Sequence, residues 1–106
     1  MELVKKIYQS IEKVNLKAVK GYDLENQSPF YRYVIFGTGQ KRQSDALIGY
    51  LKEELKGAYQ IRGIEGKSSN WLLIDCGDVI VHVFNSEERE FYQFDERFLG
   101  VKEIKL

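Results

Sequence analysis

The sequence predicts an α/β domain in which a mixed β-sheet is flanked by helices. Three features lead there. Leu3, Ile7, Ile11 and Val14 form an apolar stripe of helical period at the start of the chain. A strand–helix–strand pattern runs from Tyr31 to Glu65. Two apolar runs, Trp71 to Cys76 and Asp78 to Phe84, meet at Gly77 as a hairpin does.

The first helix carries Lys5, Lys6, Glu12 and Lys13 off its apolar stripe, and Asn15 is its stop. Leu16 to Asp23 reads as a strand. Glu25 to Pro29 is a turn or loop, because Pro29 cannot donate to a sheet ladder. Phe30 to Phe36, rich in aromatic and β-branched residues, is a strand that ends at Gly37-Thr38-Gly39. A second helix follows from Gln43 to Lys56. Its stripe is Leu47, Tyr50, Leu51 and Leu55, and Gly57 suits its C-terminal cap. Gln60 to Glu65 is a short strand, expected to close a right-handed parallel crossover with the strand before the helix. The hairpin runs are almost continuously apolar, which implies that both sheet faces are covered there. Asn85-Ser86-Glu87-Glu88 has the form of a capping box. The helix it opens carries Phe91, Tyr92, Phe94 and Phe98, and Tyr92 lies beside the face shared by 91, 94, 95 and 98. The segment from Val101 to Leu106 is too short to place.

With 106 residues, residues 1–106 read as one domain. Sixteen basic and sixteen acidic side chains leave no net charge. That disfavours a general nucleic-acid binder, which needs a cationic surplus to displace counterions. No run approaches the roughly 18 apolar residues of a membrane span. The N-terminal run lacks an apolar signal core, and the lone Cys76 has no internal disulfide partner, so a cytoplasmic location is expected. One Cys and one His exclude a multi-cysteine zinc cluster.

No catalytic constellation stands out. Gly37-Thr38-Gly39-Gln40-Lys41-Arg42-Gln43-Ser44 sits between a strand and a helix, where phosphate can bind. Its glycines match neither the phosphate-loop nor the dinucleotide spacing, and a plain glycine turn is the favoured reading. Asp75 and Asp78 are three apart across a glycine, whereas a metal-binding acid pair wants two acids two residues apart on one strand face. Turn chemistry is favoured for both. His82 lies in an apolar strand and reads as a packed, hydrogen-bonded core residue. A Cys76–His82 nucleophile pair is conceivable, but buried thiols are inert. Trp71, directly after a polar loop, fits a core role and a binding role equally. Lys41 and Arg42 could touch RNA phosphate, though a solvated loop is the commoner fate.

The segment Trp71-Leu72-Leu73-Ile74-Asp75-Cys76-Gly77-Asp78-Val79-Ile80-Val81-His82-Val83-Phe84 resembles the signature of the ribosomal silencing factor, or Iojap, family. Tyr33 to Gly39, Gly63-Ile64-Glu65-Gly66, and the set Arg89, Tyr92, Phe94 and Asp95 resemble flanking family motifs, so the likeness spans nearly the whole chain. It departs at Gln40-Lys41-Arg42, where the family is rich in Ser and Thr, and at Phe98, where a tryptophan is common. The resemblance implies a nucleotidyltransferase-like fold without the catalytic acids, no enzymatic activity and no cofactor. It implies binding to the large ribosomal subunit through ribosomal protein L-fourteen, which blocks joining of the small subunit and silences translation under nutrient limitation. Organellar relatives act in large-subunit assembly. The resemblance also implies a homodimer when free, no membrane or DNA partner, and RNA contact that is at most peripheral. The contact residues it suggests are Trp71 as anchor, with Leu73, Asp75, Asp78 and Tyr92 around it. The alternatives are a nucleotide-binding or nucleotidyltransferase-type enzyme, or a large-subunit assembly factor.

Overall fold

The computed structural model describes residues 2–105. The elements are α1 (Glu2–Lys13), β1 (Lys17–Asp23), β2 (Tyr33–Thr38), α2 (Lys41–Leu55), β3 (Gly63–Glu65), β4 (Trp71–Asp75), β5 (Val79–Phe84), α3 (Ser86–Phe91), a 3-10 turn (Phe94–Phe98) and β6 (Lys102–Glu103). They build one six-stranded mixed sheet in the order β3-β4-β5-β2-β1-β6. Only β2 and β5 are parallel neighbours; the other pairings are antiparallel.

The chain crosses over from β2 through α2 to a parallel β3, but the two strands are not neighbours in the sheet. β3 runs in the same direction as β2 but lies at the far edge, paired with β4, and β5 is the parallel neighbour of β2. The hairpin explains the insertion. Val79, Val81 and Val83 are buried against the helices, Phe84 against the other layer and Ile80 is buried on the same side as Phe84, so β5 is apolar on both faces and belongs in the centre of the sheet. β3 is short and half-exposed, which suits an edge.

Two cores follow from the period-two alternation. On one face, Leu3, Val4, Ile7 and Ile11 of α1 and Leu47, Ile48, Leu51 and Leu55 of α2 pack on Ile35, Leu72, Ile74, Val81 and Val83. Ile48 is buried in α2, whereas Tyr50, expected on the stripe, is exposed with the Lys13 ammonium 5.5 Å from its ring centre. On the opposite face, Tyr22, Leu24, Val34, Phe36 and Phe84 pack with Phe94, and Phe98 stacks on Tyr22 at 4.8 Å.

Turn chemistry sets the boundaries. α1 ends at Asn15 in the left-handed region (φ 56) and α2 at Gly57 (φ 81). Gly77 (φ 87) opens the two-residue hairpin loop with Asp78, and the Cys76 N–H donates to Val79 O at 2.9 Å. Asn85 caps α3 by accepting the Glu88 N–H at 2.8 Å. The Asn85 N–H donates instead to Asn70 O (3.2 Å), which removes the donor that Glu88 was expected to reach back to. The last helical segment is not one helix but α3 followed by the 3-10 turn. It breaks at Gln93 (φ 48), so Phe91 is left 78% exposed while Phe94 turns into the core. The segment after Val101 finds a place: β6 pairs Lys102 with Asp23 and Glu103 with Tyr22. Leu106 lies outside the described residues.

Candidate functional site

The helices cover one face of the sheet, with Val19, Tyr33 and Ile64 partly buried at its margins. The aromatic layer covers the other face over β1 and β2 and leaves its β3–β4 end open. Trp71, Leu73 and Asp75 alternate onto this open face from β4, and each is half-buried. Their cross-strand partners on β5 are Phe84, His82 and Ile80. Glu65 of β3, opposite Leu73, extends the middle row and is exposed.

Two of the five residues expected from the sequence meet directly. Tyr92, just after α3 and 47% exposed, lies 5.2 Å from Trp71 between ring centres. Trp71 also packs edge-on against Phe84 (5.3 Å) and Phe94 (5.6 Å), so it serves the core and the surface together. Leu73 sits midway along the strand. Asp75 stands four residues from Trp71, about 13 Å along an extended chain, and Asp78 lies beyond it in the hairpin turn. The five residues therefore form a strip, aromatic at one end and acidic at the other, rather than one cluster.

The two carboxylates do different things. Asp75 Oδ1 accepts the Gly77 N–H at 2.9 Å, which is the turn role its position suggests. Asp78 is exposed, and its backbone carbonyl takes the N–H groups of Arg32 and Tyr33, both at 2.9 Å. Among the described residues, neither carboxylate is within ion-pair distance of a basic group. Nor do the described residues hold three metal-ligating side chains together.

His82 belongs to the strip as well. Trp71 Nε1–H donates to His82 Nδ1 at 3.0 Å, and the His82 ring lies 4.9 Å from that of Phe94. Burial, then the nearby Arg97, pushes the imidazole down to about 4, so it is neutral at pH 7. Period-two alternation across the hairpin is the signal that would have grouped His82 with Trp71 and Leu73. Cys76 points to the other core, among the helices, so the conceivable Cys–His pair is not formed. Burial, then Asp75, pushes its thiol up to about 12.

The Gly37–Ser44 turn is a structural joint. The Gly39 N–H donates to Phe84 O (3.1 Å), and the Gln40 N–H donates to the Gln43 side chain (2.8 Å). The Gln43 amide in turn donates to Val14 O (2.9 Å), tying α2 to the end of α1. The Gly39 and Gln40 amides of the turn are thus engaged internally.

The chain is similar to known proteins over its whole length. The family model described as "Ribosomal silencing factor during starvation" matches residues 1–105. A Chromobacterium violaceum ribosomal silencing factor is 32% identical over 104 residues, covering 95% of this chain and 85% of its own. One from Haemophilus influenzae is 29% identical, covering 91% and 97%. The chloroplastic Iojap protein of Zea mays is 27% identical over 75 residues, 70% of this chain and 33% of its own. Crystal structures from Chromobacterium violaceum (31% identity, TM-score 0.82, covering 90% and 82%) and Bacillus halodurans (25% identity, TM-score 0.83, covering 99% and 98%) share the fold. With a match running from residue 1 to residue 105, the chain belongs to the ribosomal silencing factor family.

Proposed function

We propose that this protein represses translation by occupying the large ribosomal subunit at ribosomal protein L-fourteen, so that the small subunit cannot join. One observation supports this reading most. The open face of β4 carries Trp71 beside Tyr92 at one end, Leu73 midway, and Asp75 next to Asp78 of the turn at the other, with neither carboxylate in an ion pair among the described residues. An apolar stretch with charge at its margin is compatible with a protein interface. The two carboxylates suit a basic protein surface and repel RNA phosphate, which favours a ribosomal protein over ribosomal RNA as the contact. They would help orientation and association rate more than affinity.

The mechanism needs no chemistry. A bound domain that fills part of the joining face excludes the small subunit sterically, and repression follows occupancy, set by concentration over the dissociation constant. A standard interface of roughly 800 Å² on each partner is within reach of this face and its surroundings.

Co-sedimentation with separated large subunits, small subunits and assembled ribosomes tests the proposal. The expected result is pelleting with free large subunits alone, and loss of subunit joining in proportion to occupancy. Absence of pelleting with large subunits at micromolar protein and moderate salt would refute it.

A further inference from the structure

We infer that His82 is a binding residue of the proposed ribosomal contact: a neutral imidazole that Trp71 locks in the Nε2–H form, and that donates this hydrogen to a carbonyl oxygen of the partner. The inference rests on the reading of the strip as that contact.

The tautomer follows from one hydrogen bond. Indole nitrogen can only donate, so an imidazole nitrogen that accepts from it must carry no hydrogen. Trp71 Nε1 lies 3.0 Å from His82 Nδ1, so in the neutral ring the hydrogen sits on Nε2. Nε2 has no acceptor among the described residues. It is not a buried orphan either: among the described residues only Ser10 Oγ is buried without a partner, so Nε2 reaches the surface. The result is a directed N–H donor, with its ring held between Trp71 and Phe94 and its cross-strand neighbour Leu73 beside it.

The surroundings select the acceptor. Aromatic and aliphatic groups frame the donor, and a partner closing over them would exclude water. Even with the Arg97 guanidinium near the ring, a carboxylate costs more to desolvate here than a carbonyl, which one N–H satisfies. Asp75 and Asp78 lie at the other end of β4, and Glu65 stands two strands away in the row of His82. A family of contacts made only by hydrophobic area would not need an oriented donor here. With one, the surface can reject partners that lack an acceptor in register.

Two substitutions separate the two nitrogens. His82→Asn keeps an oxygen near Nδ1 to accept from Trp71 and removes the distal donor. His82→Gln places an amide donor near Nε2 and gives up the proximal acceptor. Ring ¹⁵N spectra of the free protein at pH 7 should show Nδ1 without hydrogen and Nε2 with it. His82→Asn should keep the indole N–H signal of Trp71 and bind large subunits about tenfold more weakly, as expected when a buried acceptor loses its donor. His82→Gln should shift the indole signal and bind more tightly than His82→Asn. Thermal melts confirm that both variants fold. Hydrogen on Nδ1, or parent-like binding by folded His82→Asn, would overturn the inference while leaving the ribosomal reading intact. Failure of the parent protein to bind large subunits would remove that reading, and this inference with it.

Discussion

Arg89 and Asp95 form a two-pronged ion pair beneath the aromatic layer, with Nε to Oδ1 at 2.6 Å and Nη2 to Oδ2 at 2.8 Å. The remaining Arg89 nitrogen donates to Ala18 O (2.8 Å) and Thr38 Oγ1 (3.0 Å). Ala18 can offer its carbonyl because β1 carries a bulge there, with φ 50 and a register shift between Lys17 and Lys20. One guanidinium thus ties α3 and the 3-10 turn to β1 and β2. It also lies over the rings of Phe36 (4.9 Å) and Phe84 (5.7 Å).

Arg89→Met should therefore destabilise the fold by about 3 kcal/mol, through the lost hydrogen bonds to Asp95, Ala18 and Thr38. Asp95→Asn keeps one oxygen acceptor and leaves the Arg89 bonds to Ala18 and Thr38 in place, so it should cost less, about 1 kcal/mol. Urea unfolding of the three proteins checks both the sign and the order.

Much of this architecture can be read from local pattern. The stripe of Leu3, Ile7, Ile11 and Val14 is buried as its spacing indicates, and Gly77 turns the hairpin. The pairing of β2 with β5 is a different kind of fact. Tyr33 and Val79 are far apart in sequence, and no local period encodes that they meet. The break at Gln93 is equally silent: a left-handed glutamine is imposed by the packing of Phe94, not announced by the residue itself. At the candidate site, alternation places Trp71, Leu73 and Asp75 on one face from sequence alone. That His82 joins them depends on the hairpin register, which Gly77 supplies only once the turn length is known.

Acid should weaken the fold in two stages. His82 titrates near 4 when folded and near 6.5 when unfolded, so the unfolded chain binds the extra proton. Stability is then fully retained above pH 6.5 and falls by about 3 kcal/mol on reaching pH 4. Hydrogen bonds from Arg32 and Arg89 hold Asp23 and Asp95 below the usual carboxylate range. Their contribution is present above the ordinary carboxylate value and is lost as pH falls through their own. Denaturant unfolding from pH 7 to pH 3 should show both slopes. His82→Gln should flatten the segment between pH 6.5 and 4 and leave the lower one in place.

On the open face, Leu73 and Asp78 are the cleanest probes of partner binding, because Trp71 is committed to the core as well. Leu73→Ala should weaken binding to large subunits about tenfold, within the range for a central apolar contact. Asp78→Lys should slow association, an effect that shrinks as salt is raised. Kinetics of binding to immobilised large subunits at two salt concentrations separate these outcomes. Parent-like rates for both variants would place the contact elsewhere.

The loop that delivers Trp71 to this face depends on Gly66. Its φ is 76, and a Cβ there would stand 2.0 Å from Trp71 O and 2.9 Å from Ser69 Oγ. Ser69 Oγ is itself engaged, donating to Gly66 O (2.6 Å) and accepting the Trp71 N–H (3.2 Å), so the loop has little freedom to yield. Gly66→Ala combines an unfavourable backbone conformation with a backbone clash and should cost more than about 2 kcal/mol. Gly63, in β3, meets nothing within 4 Å of an added Cβ. Gly63→Ala should stay within about 0.5 kcal/mol of the parent. Because the clash falls on the carbonyl of Trp71 itself, Gly66→Ala should also alter the near-ultraviolet circular dichroism of the indole, and Gly63→Ala should not. Equal stability of the two variants would mean that the loop relaxes without moving β4.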